Sequence, residues 1–226
     1  AQIALAKVFK DGDFRAGYYR DQTLMMCLGQ LTTKQMFAHL YGNPELSAEP
    51  SSGSRQMMNH FGSRLLNEDG TWRNLMEQKN STSDMACLAS NMPRLVGLAQ
   101  ASKVYRQNKD LSEKKSFSNN GSEIAFGTIG NSSCAEGHFF EAVNAIGVLQ
   151  VPAIISVWDD GYGISVGNEY QMTKSDVSEV LKGFQRDDKG EGFEIFKVKG
   201  WDYPALVDTY EKAEKLAREK HIPSII

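Results

Sequence analysis

Asn131 and Asp160 each sit in a short loop crowded with oxygen donors. The first loop reads Gly130-Asn131-Ser132-Ser133 and the second Asp159-Asp160-Gly161-Tyr162. They lie 29 positions apart, about the span of one strand–helix–strand crossover, so both loops can reach the same edge of a sheet. An amide oxygen beside a carboxylate suits a hard cation such as magnesium, which takes oxygen ligands in an octahedron and keeps phosphate oxygens among them. Gly130 and Gly137 let backbone N–H groups approach an anion at the start of the helix that follows. Asn and Asp are also ordinary turn formers, and on these residues alone that reading stays open.

Tyr19-Arg20 offers a second anion-binding element, because the planar fork of Arg donates two parallel hydrogen bonds to a phosphate. A surface ion-pairing patch is the alternative. An imidazole can hydrogen bond and transfer protons, which makes His60 a candidate for both, against a plainly structural role. His39 lies on a capped helix and is expected to be structural, His138 and His221 to be solvated, and Cys134 to be a small packing residue.

The elements that must position these groups follow from caps and periodicity. Ile3, Ala6 and Phe9 fall at helical spacing. Thr32 and Gln35 form a capping-box pattern ahead of Met36, Phe37, Leu40 and Tyr41, and Gly42-Asn43-Pro44 stops that helix. Residues 47–54, 67–83 and 109–121 read as loops. Ser90 and Pro93 open a helix with Met92, Leu95, Val96 and Ala99 on one face. Ile124–Ile129 reads as a strand, then a helix buries Phe139, Phe140, Val143 and Ile146, then Ala153–Val157 is a strand. Ser175 is expected to cap a helix through Phe184, Phe193–Val198 to be a strand, and Asp202 with Pro204 to open a helix with Leu206, Tyr210, Ala213 and Ala217 inward. Pro223–Ile226 begins another strand. Such alternation predicts an α/β fold: a three-layer parallel sheet with helices on both faces. Ligands of such sheets bind beyond the carboxyl ends of the strands, where both polar loops fall.

Composition narrows the class. The 226 residues are 41% hydrophobic, with 25 basic and 28 acidic side chains and a net charge of −3. That balance gives no electrostatic reason to expect nucleic acid, and no apolar run suits a membrane span. The three cysteines Cys27, Cys87 and Cys134 suit neither a disulfide framework nor a zinc site, and point to a reducing cytoplasm. We expect one domain over residues 1–226, cut from a longer polypeptide.

The quoted loops also resemble a known signature. Gly130-Asn131-Ser132, Ala135-Glu136-Gly137, Glu141-Ala142-Val143-Asn144, Val151-Pro152-Ala153 and Asp159-Asp160-Gly161-Tyr162-Gly163-Ile164-Ser165 are similar to the thiamine-diphosphate motif. They most resemble the α chain of the decarboxylating component of pyruvate and branched-chain 2-oxo acid dehydrogenases. Tyr18-Tyr19-Arg20-Asp21 resembles that family's diphosphate-holding Tyr-Arg step. Arg55–Gly62 is similar to its His-bearing segment, and leans to the branched-chain type. Leu88–Pro93 resembles the stretch whose backbone grips the aminopyrimidine.

The resemblance implies a thiamine-diphosphate-binding fold and an enzyme that uses thiamine diphosphate and Mg2+ to decarboxylate a 2-oxo acid, passing the acyl group to a lipoyl arm. It implies cofactor contacts at Tyr19, Arg20, Ala86, Leu88, Gly130, Asn131, Ser132, Ser133, Asp160 and Tyr162. Asn131, Asp160 and the Tyr162 carbonyl would bind the metal, and His60 would act on the 2-oxo acid. Two departures stand out. The family's metal-binding acid is here Asn131, and its second Asn is here Asp160, a swap that conserves one carboxylate and one amide. We take the swap as a retained metal site; a drifted, metal-free loop is the competing reading. Ser132 replaces a usual Gly and is expected to narrow the approach of the diphosphate. The implied partners are a β chain or second domain supplying an activating Glu, a lipoyl-bearing acyltransferase, and further copies in an oligomer. Residues 1–226 would supply the diphosphate and metal half-site and be inactive alone. An acetoin-type thiamine dehydrogenase and a cofactor-free interaction domain are the alternatives.

Overall fold

The computed structural model describes residues 1–226. Its strands are β1 (Phe14–Ala16), β2 (Asn80–Ser81), β3 (Ala125–Gly130), β4 (Ala153–Trp158), the short pair β5 (Tyr162–Gly163) and β6 (Val166–Gly167), β7 (Glu194–Ile195) and β8 (Ser224–Ile225). Six of them form one all-parallel sheet in the order β2-β1-β3-β4-β8-β7, while β5 and β6 make a separate antiparallel hairpin. The central pair runs in register from Ala125 opposite Ala153 to Gly130 opposite Trp158. The helices are α1 (Gln2–Val8), α2 (Gln22–Cys27), α3 (Thr33–Leu40), α4 (Asn91–Gln107), α5 (Gly137–Leu149), α6 (Val177–Val180) and α7 (Tyr203–Lys220).

Side chains alternate across a strand, so each central strand feeds two cores. Ala125, Ile129, Ala153 and Ile155 pack with Met92, Leu95 and Ala99 of α4 and Phe139, Val143 and Ile146 of α5. Ile124, Phe126 and Ile154 pack on the other face with Leu5 of α1, Leu24 of α2, and Leu206 and Tyr210 of α7. This is the expected three-layer α/β arrangement. The stripes read for α5 and α7 face inward, although Phe140 is only partly buried. No helix is long and apolar enough to cross a membrane.

Several expectations need correction. The buried face of α1 is Ala4, Leu5 and Val8, whereas Ile3 is 52% exposed, because α1 turns toward α2 and α7. Asp176, not Ser175, caps α6: its carboxylate accepts hydrogen bonds from the Ser178 amide at 2.8 Å and the Glu179 amide at 3.4 Å. Residues 67–83 are not all loop. They hold a 3-10 turn at Leu75–Glu77 and the edge strand β2, too short for any periodicity to reveal. Lys109–Leu111 is likewise a 3-10 turn. The strand expected at Phe193–Val198 shrinks to Glu194–Ile195. His221 is buried rather than solvated. It ends α7 in the left-handed region at φ 56°, and its Nε2 lies 2.7 Å from the Gly121 carbonyl.

The capping box of α3 forms as read: Thr32 Oγ1 accepts from the Gln35 amide at 3.2 Å, and Gln35 Oε1 from the Thr32 amide at 2.9 Å. Beyond it the chain wraps a buried carboxylate. Glu49 accepts hydrogen bonds from the amides of Ser51, Ser52 and Ser54 at 2.8–2.9 Å. Burial opposes its charge, and these amides overcome that, holding the pKa down to about 2. A depressed carboxylate stabilises the fold above its ordinary pKa, and that contribution fades as pH falls through the folded value. The Ser51, Ser52 and Ser54 amides are therefore expected to stay protected from hydrogen exchange at pH 5 and to lose protection as pH drops from about 4 toward 2. Unchanged protection across that window would mean that the charge does not hold the loop.

Candidate functional site at the carboxyl edge of the sheet

Every main-sheet strand points the same way, so the segments that follow β1, β3 and β4 gather at one edge. A buried arginine locks them together. Arg15 is fully buried, and all five of its N–H groups find acceptors. Nε donates to Asp21 Oδ2 at 2.7 Å. Nη1 donates to Ser81 Oγ at 2.9 Å and Asp84 Oδ1 at 3.0 Å, and Nη2 to the Tyr18 carbonyl at 3.0 Å and Asp84 Oδ2 at 3.1 Å. Asp21 also accepts from Trp158 Nε1 at 3.0 Å and from the Thr128 hydroxyl. Asp84 accepts from the Phe61 amide at 3.1 Å. Gly17 makes room for the guanidinium, which passes 2.3 Å from where a Cβ would stand. One charge cluster thus ties down Tyr18–Asp21, Phe61, Ser81–Asp84, Thr128 and Trp158, none of which the sequence alone joins.

Around this anchor the predicted residues divide. Tyr19, Ala86, Leu88 and Ser133 line one narrow crevice together with Tyr18, Asn91 and Thr128. The Tyr18 hydroxyl is buried with no hydrogen-bond partner and lies 3.4 Å from the position of a Cβ on Gly130. Burial pushes its pKa up, so it is a protonated donor at the mouth of the first loop. Asn131 is buried, and its Nδ2 donates to the Tyr162 carbonyl at 3.3 Å and to Asn168 Oδ1 at 2.6 Å. Asn131 and the Tyr162 carbonyl therefore do meet. The Ser132 hydroxyl is turned to Gly163, lying 2.6 Å from the position of a Cβ there.

Asp160 stands at the rim. It is exposed, its Oδ1 accepts from the Tyr162 amide at 3.1 Å, and it borders the same hollow as Arg20. His60 is not on the crevice. Its Nδ1 lies 2.8 Å from the Met58 carbonyl, and it lines a polar hollow of about 680 Å³ together with Asp84. The two hollows adjoin through the chain: Ser83 and Asp84 line the larger, Met85–Ala89 the smaller. Cys134 is fully buried, and burial pushes its thiol pKa well up, as suits a packing residue.

Sequence reasoning missed Asn168 and the Arg15 cluster, and it placed Asp159 and Tyr18 in their motifs without giving either a role of its own. Asn168 reaches the site only through the fold: the tight β5–β6 hairpin returns the chain so that its backbone amide donates to the Gly161 carbonyl at 3.0 Å, beside the second loop. No group of three or more His, Cys, Asp or Glu side chains is placed to hold a metal ion. A cation here would rely on amide and carbonyl oxygens beside a carboxylate, the hard-ligand chemistry of magnesium. The buried Tyr18 hydroxyl, unpartnered and set against Gly130, also fits a phosphate group.

The chain also has recognisable relatives among known proteins. The family model described as "Dehydrogenase E1 component" matches residues 1–226. The chain is similar to the "2-oxoisovalerate dehydrogenase subunit alpha" of Bacillus subtilis, 26% identical over 228 residues, covering 100% of this chain and 57% of that protein. It is also similar to the "2-oxoisovalerate dehydrogenase subunit alpha 2, mitochondrial" of Arabidopsis thaliana, 24% identical over 224 residues, covering 99% of this chain and 39% of that protein. The chain spans about half the length of these relatives or less.

Proposed function

The chain belongs to the dehydrogenase E1 component family, and from that premise we propose that the protein carrying it performs thiamine-diphosphate-dependent oxidative decarboxylation of a branched-chain 2-oxo acid. Residues 1–226 form its diphosphate- and metal-binding domain. The observation that carries this reading is the meeting of Asn131 with the Tyr162 carbonyl beside the crevice of Tyr19, Ala86, Leu88 and Ser133. The names of both relatives support the branched-chain class.

Thiamine diphosphate, when bound, supplies the electron sink for loss of carbon dioxide. The residues of this chain bind and orient. Tyr19, Arg20 and the backbone of Gly130–Ser133 hold the diphosphate, Arg20 through its two-pronged donor face. Asn131, Asp160 and the Tyr162 carbonyl would hold Mg2+, whose charge would offset that of the diphosphate. The backbone at Ala86 and Leu88 holds the aminopyrimidine. His60 donates a hydrogen bond or a proton to the 2-oxo acid from the larger hollow. A β chain or second domain supplies the activating Glu, and a lipoyl-bearing acyltransferase takes the acyl group.

Calorimetry of the full protein with thiamine diphosphate is expected to give binding with Mg2+ and little without it. Turnover with an artificial electron acceptor is expected for branched-chain 2-oxo acids, and none from residues 1–226 alone. No heat of binding with Mg2+ present would sink the cofactor assignment, and preferential turnover of acetoin would sink the substrate class.

A further inference from the structure

An amide can ligate a cation only through its oxygen, whereas a carboxylate presents oxygen whichever way it turns. An Asn at a metal position therefore carries a burden that an Asp does not: something must decide which end of its amide faces the ion. The structure contains such a device. Asp159 Oδ1 accepts from the Gly161 amide at 2.9 Å and from Asn168 Nδ2 at 3.3 Å. An ionised carboxylate only accepts, so the Asn168 amide must turn its nitrogen to Asp159 and its oxygen away. That oxygen meets Asn131 Nδ2 at 2.6 Å. The polarity then passes on: the Asn131 nitrogen is committed to Asn168 Oδ1 and the Tyr162 carbonyl, and its Oδ1 is left as the free end.

Two further observations point the same way. Asn131 precedes the 3-10 turn Ser132–Ala135 with a helical backbone (φ −52°, ψ −43°) and makes no cap hydrogen bond, so its side chain is not committed to the turn. Asn168 is buried and anchored through its own backbone, its carbonyl accepting from the Gln171 and Met172 amides at 3.1 and 2.9 Å, so the orienting oxygen is fixed in place. The Tyr162 carbonyl keeps a second lone pair beyond the one that Asn131 uses.

We propose that Asn168, held by Asp159, is a positioning residue that sets the amide of Asn131 with its oxygen toward the cation, and that this relay is what allows Asn to stand where the resemblance expects an acid. The proposal rests on the cofactor reading above. It makes Asn168 helpful to Asn131 and harmful to an Asp in the same place, because Asn168 Oδ1 would then face a carboxylate oxygen.

The test is a double-mutant cycle on the full protein with its partner chain, read as the dissociation constant for thiamine diphosphate at fixed Mg2+ by calorimetry, with circular dichroism as the check of folding. Asn168→Ala is expected to weaken binding about fivefold or more with Asn131 present, a loss of roughly 1 kcal/mol. In the Asn131→Asp background the same change is expected to leave binding unchanged or tighter. Asn168→Ser, which keeps a small polar side chain, runs the cycle again if the Ala protein does not fold. Equal losses in both backgrounds would mean a merely structural Asn168 and overturn the proposal, as would no loss in a folded Asn131 protein. Parent protein that fails to bind thiamine diphosphate at all would instead remove the reading underneath.

Discussion

Arg15→Met is expected to destabilise the protein by about 3 kcal/mol or more, a far larger effect than loss of any surface charge. The reason lies in what stays behind. Asp21 and Asp84 are both buried, and in the parent they share one guanidinium. Removing it leaves two carboxylates out of water with no cation, and burial already pushes the Asp84 pKa up even with Arg15 in place. The lost bonds also release the Tyr18 carbonyl and Ser81, so the crevice loses its frame together with the fold. Arg15→Lys keeps the charge but offers three donors where five acceptor contacts exist, and should fall between the parent and Met. Denaturant unfolding of the three proteins checks the order. A Met protein within about 1 kcal/mol of the parent would show that the cluster does not hold the edge together.

That same cluster marks where sequence reasoning stopped. The pattern of α5 and α7 is readable because those helices bury one stripe and expose the rest. β3 and β4 are readable as continuous apolar runs. β1 is not, although it lies inside the sheet between β2 and β3, because fully buried Asp13 and Arg15 make its stretch look like a loop. Their charges are matched by residues distant in the chain: Arg218 reaches Asp13 at 2.9 Å across 205 positions, and Asp84 reaches Arg15 across 69. No local pattern encodes such a partner. The site shows the same split. Asn131 and Tyr162 are marked by their loops, whereas the role of Asn168 depends on a hairpin that folds it back onto them.

The adjacent carboxylates Asp159 and Asp160 allow the metal assignment to be tested by position rather than by charge. Each carries one negative charge, so a purely electrostatic role for the loop predicts equal effects from Asp159→Asn and Asp160→Asn. The proposed site predicts otherwise. Asp160 is its only carboxylate ligand, and hard cations depend on carboxylate count for affinity, so Asp160→Asn is expected to weaken Mg2+-dependent binding of thiamine diphosphate by more than one decade, roughly 1.4 kcal/mol. Asp159 acts through acceptance alone, taking hydrogen bonds from the Gly161 amide and Asn168. An Asn there can turn either end of its amide to Asn168 and no longer fixes its polarity, so the cost is expected to match that of losing Asn168, about fivefold or roughly 1 kcal/mol, still below the loss at Asp160. Restoring the family arrangement with Asn131→Asp and Asp160→Asn together keeps the charge constant but sets the new carboxylate against Asn168 Oδ1. That double change is expected to recover affinity to within about a decade of the parent only when Asn168 is also shortened to Ala. Equal losses from the two single Asp→Asn changes, measured by calorimetry at several Mg2+ concentrations, would place the ion elsewhere and remove Asp160 from its shell.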